Sequence, residues 1–228
     1  MNFFAHFLVD RKPNQPQFNA ALIAPDLLRH FLTKNNRVNW QSLTNNQEII
    51  SANLNSFCEG GLQHLLRDKQ FHQSDFFEKI YQNHRESWSK LGLKHGLGRW
   101  WFSLHVSVEL IIDKILIGNH LNELLEFYST LSDNRQSYKT LLTALAHPEE
   151  ELFLQRFDKF LESQYLFHYR EFSGIAYALH RIHLSLGIAT PWHPNNTDHL
   201  VFAMKNIEID IIEKTREMGL LASLKANL

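Results

Sequence analysis

The stretch WWFSLHVSVELIIDKILI, residues 100–117, is the most apolar run of the chain that keeps helical spacing, and a helix apolar on most sides belongs inside a bundle. It should therefore be central. Gly118 and Asn119 follow it and suit a left-handed helix end. Within the run, His105, Glu109 and Asp113 recur at intervals of four residues, so they share one face of a helix. Buried carboxylates are costly unless they are paired or bound to a cation, and an acidic pair inside the most apolar helix needs such a partner. Two readings stay open on composition alone: a metal ion, or ion pairs with Lys114, Arg67 or Arg99.

A matching spacing lies upstream, where His64, Asp68 and His72 again fall one turn apart. Imidazole and carboxylate groups stacked in this way can converge on one ion. The bland reading is a polar helix face that meets water, since a chain with 14 histidines contains such spacings by coincidence.

Outward from these runs the pattern remains helical, with apolar residues at three and four spacing and only nine glycines and six prolines to interrupt it. Phe18 to Leu32 reads as a helix started afresh near Pro25, which places Asp26 in a first turn. Glu48 to about Phe71 reads as one helix, with Gly60 and Gly61 as a bend or a close helix approach. Ser74 or Asp75 caps the next helix, to about Leu91, and Gly96 with Gly98 makes a hinge. Leu121–Leu131, Ser137–Ala146, a helix from Pro148 to Tyr165, Arg170–Leu186 ended by Gly187, and a long helix from Thr197 to about Leu221 after Pro191 and Pro194 complete the series. The expected fold is a single all-α domain over residues 1–228.

The 228 residues are 44% hydrophobic and 12% aromatic, enough for a sizeable core. A net charge of -1 and a pI near 6.9 argue against nucleic acid as a partner. The single cysteine, Cys58, beside Phe57 and Leu54, reads as core filler and is compatible with a reducing compartment. Neither a secretory leader nor a membrane span is evident, so a cytoplasmic protein is expected. Phosphate loops, GxSxG elbows and CxxC pairs are missing from the sequence. His180 and His183 read as solvated or core histidines, and Trp100 and Trp101 as core.

In order and spacing, MNFFAH (residues 1–6), ALIAPD (21–26), GLQHLLRDKQFH (61–72) and ELIIDKIL (109–116) resemble the acyl carrier protein phosphodiesterase family. LFHYREFSGIAYALHRI (166–182) and the long last helix extend the resemblance more loosely over nearly the whole chain. Members of that family are similar to the all-helical HD-type metal-dependent phosphohydrolases. They remove 4′-phosphopantetheine from the serine of holo-acyl carrier protein with a divalent ion, commonly manganese. The resemblance thus implies an HD-phosphohydrolase-like bundle, a Mn2+ cofactor with Mg2+ or Fe as substitutes, and holo-acyl carrier protein as substrate and partner.

Carried over by motif, the resemblance implies His6, Asp26, His64, Asp68, Glu109 and Asp113 as the active-site set. Asp26, His64, Asp68 and Asp113 would be direct metal ligands, and Glu109 a ligand or base. His6, His72 and His105 would be further ligands or the groups that orient them. Lys114, Arg67 or Arg29 would neutralise phosphate charge.

The chain departs from the family pattern at five points: His72 stands at an aspartate position, Leu65 at an arginine position, Glu109 at an aspartate position, Lys114 at a histidine position, and an alanine at the asparagine of the GNLLAD-like block. A relative that binds acyl carrier protein without turnover is the alternative these departures motivate. A di-iron carboxylate oxidase is a second alternative, but no glutamate lies three residues before a histidine as its ligand pattern requires. An acidic carrier protein would also call for a basic docking patch.

Overall fold

Local sequence marks some of the limits of the helices. In the computed structural model, which describes residues 3–43, 45–95, 99–188 and 197–226, these are α1 (Phe3–Asp10), α2 (Pro16–Ala21), α3 (Ala24–Phe31), α4 (Trp40–Leu43), α5 (Gln47–Ser51), α6 (Asn55–Gln73) and α7 (Asp75–His95). They continue as α8 (Trp100–Asn119), α9 (Leu121–Asp133), α10 (Arg135–Ala144), α11 (Glu150–Ser163), α12 (Phe172–Ser185), α13 (Asp198–Lys214) and α14 (Leu220–Ala226). Short 3-10 turns occupy Lys34–Asn36 and Tyr165–Arg170. The described residues include no strand, so the all-α expectation holds.

The described residues gather into two compact units. One holds Phe3–Lys69 and His120–Tyr165; the other holds Gln70–Asn119 and Leu166–Leu228.

Aromatic side chains fill the core of the first unit. Phe4 and Phe7 meet Phe127 edge to face at 6.2 and 5.4 Å, and Tyr138 lies 4.9 Å from Phe57 and 4.6 Å from Phe157. The Tyr138 hydroxyl donates to the Ala20 carbonyl at 2.6 Å, which satisfies its buried polar end. Asn19 bonds both ways with the Lys12 backbone, at 2.7 and 2.8 Å, and so fixes the turn between α1 and α2. The expected close approach at Gly60 and Gly61 is present. A Cβ at Gly60 would stand 2.2 Å from the Phe18 carbonyl oxygen, and one at Gly61 would stand 2.1 Å from the Trp40 ring.

The second unit has a more aliphatic core built around α8. Leu104, Val108, Ile111 and Ile112 are fully buried there, with Leu179, Met204, Ile207, Ile211 and Trp88. Helix α8 packs on α7, α12, α13 and α14, as its apolar surface on most sides requires. Ser74 serves two helix ends: its hydroxyl donates to the Phe71 carbonyl at 2.7 Å and accepts from the Phe77 amide at 3.2 Å.

Several boundaries differ from the sequence reading. The run from Glu48 is broken after α5, because Asn53 adopts a left-handed φ of 58° before α6 starts. Helix α8 continues through Gly118 to Asn119, whose amide donates back to the Ile115 carbonyl at 2.9 Å, in place of the expected left-handed cap. Pro148 precedes α11 without starting it, and α11 ends at Gln164 with φ 43°. The long final helix is two helices, separated where Gly219 takes φ 75°. Trp101 is 51% exposed, and Trp100 is also partly exposed, so neither is core as expected. The hinge placed at Gly96 and Gly98, and the loop of Pro191 and Pro194, lie outside the described residues.

Candidate metal centre

Pro16 is the first residue of α2 and Pro25 the second of α3, both within the first turn where a missing amide hydrogen costs nothing, and the start at Ala24 puts Asp26 in the first turn of α3. Helix α1 supplies His6, and α6 supplies His64 and Asp68 one turn apart. The ligand-type atoms of His6, His64 and Asp68 all lie within 4.8 Å of one another. The two imidazole rings meet at 4.1 Å, His6 Nε2 is 3.9 Å from Asp68 Oδ1, and His64 Nε2 is 3.7 Å from Asp26 Oδ1.

The backbone orients the His64 ring. Its Nδ1 is 2.8 Å from the Leu22 carbonyl, so Nδ1 carries a hydrogen and Nε2 is the atom turned toward Asp26. Burial by itself would lower the His64 pKa, but the charges of Asp26 and Asp68 with the Leu22 bond raise it above 6.5. Burial would raise the Asp26 pKa, and His64 pulls it well below the usual carboxylate range instead. Asp68 is 42% exposed and forms the open side of the set.

The clamp that holds α1 on α6 was not legible in the spacing. Asp10 is nearly buried and receives a fork from Arg67, Nε to Oδ2 at 2.9 Å and Nη2 to Oδ1 at 2.7 Å, with Gln63 Nε2 donating to Oδ1 at 3.0 Å. Because Arg67 sits one residue before Asp68, the fork also fixes the turn that carries His64 and Asp68. Arg67, expected to face phosphate or the acidic pair, is thus engaged with Asp10.

The second unit holds the other expected residues. His72 lies in the last turn of α6, and His105 and Glu109 lie one turn apart on α8. Their Nε2 atoms stand 3.2 and 3.1 Å from the same oxygen, Glu109 Oε1, and their rings stack at 4.5 Å. Phe77 closes one side, its ring 4.9 Å from each imidazole. Burial would raise the Glu109 pKa, but it is held well below the usual glutamate range, the charge of the chain's terminal ammonium and then hydrogen bonds from His105 and His72 acting against burial. Asp113 is fully buried one turn further along α8.

Among the cations proposed as partners for the acidic pair, Lys114 donates to Glu208 at 2.7 Å and lies over the Phe172 ring at 4.6 Å. Arg99 is exposed, as is Arg29, the third candidate for phosphate charge. His183, expected as solvated or core, is core: fully buried with its Nε2 3.0 Å from Ser103 Oγ. Cys58 is buried, and that burial with the neighbouring Glu59 pushes its thiol up to about 11, consistent with filler and not a nucleophile. No helix among the described residues is long and apolar enough to cross a membrane.

The donor sets suit a divalent ion. Imidazole nitrogen and carboxylate oxygen are the ligand types of such ions, and both sets bring three of them within 4.8 Å. The chain matches no protein-family model, no curated protein and no solved structure.

Proposed function

We propose that this protein is a metal-dependent phosphodiesterase that hydrolyses 4′-phosphopantetheine from holo-acyl carrier protein. The observation that carries the reading is the meeting of His6, His64 and Asp68 from two separate helices, with Asp26 beside His64. These four occupy positions that the sequence resemblance assigns to the active site. A bound manganese ion would polarise the phosphoryl oxygen and acidify water.

His64 and His6 would hold the ion through nitrogen, with Asp68 and Asp26 supplying the balancing charge. The Leu22 carbonyl keeps His64 in the tautomer whose Nε2 faces the carboxylate. Partial exposure of Asp68 leaves room for a phosphate at the set's outer side. Glu109 and Asp113, which the resemblance adds to the active site, are buried on α8.

Lys114, bonded to Glu208 where the family has a histidine, favours a second reading in which carrier protein is bound without turnover. Both are resolved by incubating purified full-length protein and Mn2+ with holo-acyl carrier protein and weighing the product. Loss of the phosphopantetheinyl group that depends on His64 and Asp68 supports the hydrolase. An intact substrate that still co-elutes with the protein supports the binding relative.

A further inference from the structure

We propose that His72, His105 and Glu109 form a metal site of their own, which takes one divalent ion of the zinc or iron(II) type separately from the His6, His64 and Asp68 set.

The donor spacing is the first argument. Around an ion with ligand distances of about 2.0–2.1 Å, neighbouring donors in a tetrahedron stand about 3.3 Å apart. His72 Nε2 and His105 Nε2 already stand 3.2 and 3.1 Å from Glu109 Oε1, and all three ligand atoms fall within 4.8 Å of one another.

The second argument is rigidity. His105 and Glu109 are fixed one turn apart on the most buried helix of the unit. The His72 and His105 rings stack with 27° between their planes, and Phe77 meets them at 87° and 67°, so neither ring turns freely. Phe71 adds a further ring 5.3 Å from His72.

Ligand chemistry then selects the ion. Two imidazoles and one carboxylate leave at least one coordination position open, the arrangement of catalytic zinc and of non-haem iron(II), whereas magnesium and calcium favour mostly oxygen ligands. His105 is 36% exposed, which gives that open position a route to solvent. The competing account is a pair of N–H···O bonds onto Glu109 with no ion.

Cobalt(II) separates the two accounts, because its visible absorption reports coordination directly. Full-length protein freed of metal with a chelator is titrated with Co2+, and the same titration is run on Glu109→Gln, His72→Ala, Glu109→Asp and the double variant His64→Ala with Asp68→Asn. Circular dichroism checks that each variant is folded. The proposal expects wild-type protein to develop cobalt bands that survive in the double variant and are displaced by Zn2+ before Mn2+. Affinity should fall roughly 100-fold or more in Glu109→Gln and His72→Ala, at or beyond the upper end of what outer-shell changes cost, and less in Glu109→Asp. Bands that vanish in the double variant, or that persist unchanged in folded Glu109→Gln, overturn it. Failure of the hydrolase reading shows separately, as uncleaved carrier protein with the cobalt titration intact.

Discussion

In the set of His6, His64 and Asp68, the nitrogen and oxygen atoms closest to one another are 3.7–3.9 Å apart, counting Asp26, and Asp68 faces solvent. In the set of His72, His105 and Glu109 they are 3.1–3.2 Å apart around a carboxylate only 4% exposed. Similar side chains, two imidazoles with an aspartate or a glutamate, therefore meet different electrostatic needs. Asp68 shares its charge with solvent in the first set, and two imidazole nitrogens close on one oxygen of a buried carboxylate in the second. The surroundings follow the same division, with an aromatic core and an Asp10–Arg67 clamp in one unit and an aliphatic core around α8 in the other.

The largest expected effect comes from breaking that clamp. Arg67→Ala leaves Asp10 nearly buried without its cation, and the loss is expected to be about 3–5 kcal/mol, read as a lower urea midpoint. Cutting Arg135–Asp158, a pair in the same unit with both side chains more than a third exposed, is the control and should cost about 0–1 kcal/mol. Equal losses from the two would show that burial does not govern the clamp.

Next in size is Gly60→Ala. The new methyl would stand 2.2 Å from the Phe18 carbonyl, so α6 must shift against α2, at about 1–3 kcal/mol. A helix-propensity gain would act in the opposite direction, and a stabilised variant would mean that α2 yields easily.

Two buried histidines should then titrate on opposite sides of 6.5. Burial, with His180 nearby, holds the His183 pKa down to about 4, so the unfolded chain takes up this proton first and stability falls as pH drops from about 6.5 toward 4, by about 2 kcal/mol. His64 is raised above 6.5, so its contribution is complete below that pH and is lost as pH rises through its folded value. Nitrogen-15 spectra of the imidazoles in chelator-treated, metal-free protein at pH 6 should show His64 protonated and His183 neutral. The reverse assignment would overturn the contrast.

Asp68→Asn should move stability least, within about 1 kcal/mol, since the side chain is 42% exposed, while removing the proposed phosphodiesterase turnover. Unfolding and activity measured on one preparation check both halves. A variant with full activity would remove Asp68 from the hydrolytic set.

The candidate residues were readable to unequal depth. His64 with Asp68, and His105 with Glu109, share helix faces because four-residue spacing is a local property of the chain. Asp26 was readable too, since Pro25 marks a helix start. The carboxylate partners of Arg67 and Lys114 are not legible in the sequence for a physical reason: nothing near either residue announces Asp10 or Glu208, and a cation takes whichever carboxylate packing brings to it. The break at Asn53 was hidden because asparagine tolerates a left-handed φ without glycine's sequence signature.

Apolar periodicity and the scarcity of turn residues determined, by sequence alone, that the chain is helical, that α8 lies inside its unit, and which acids and histidines share a turn. Such features depend on residues three or four apart, whose geometry a helix dictates. Only the tertiary structure decided that His6 stacks on His64, that the Nε2 atoms of His72 and His105 close on one oxygen of Glu109, and that Arg67 and Lys114 have carboxylate partners. Those pairings depend on how closely helix surfaces approach, which is set by distant volumes such as Phe18 and Trp40 against Gly60 and Gly61, and no local spacing encodes that.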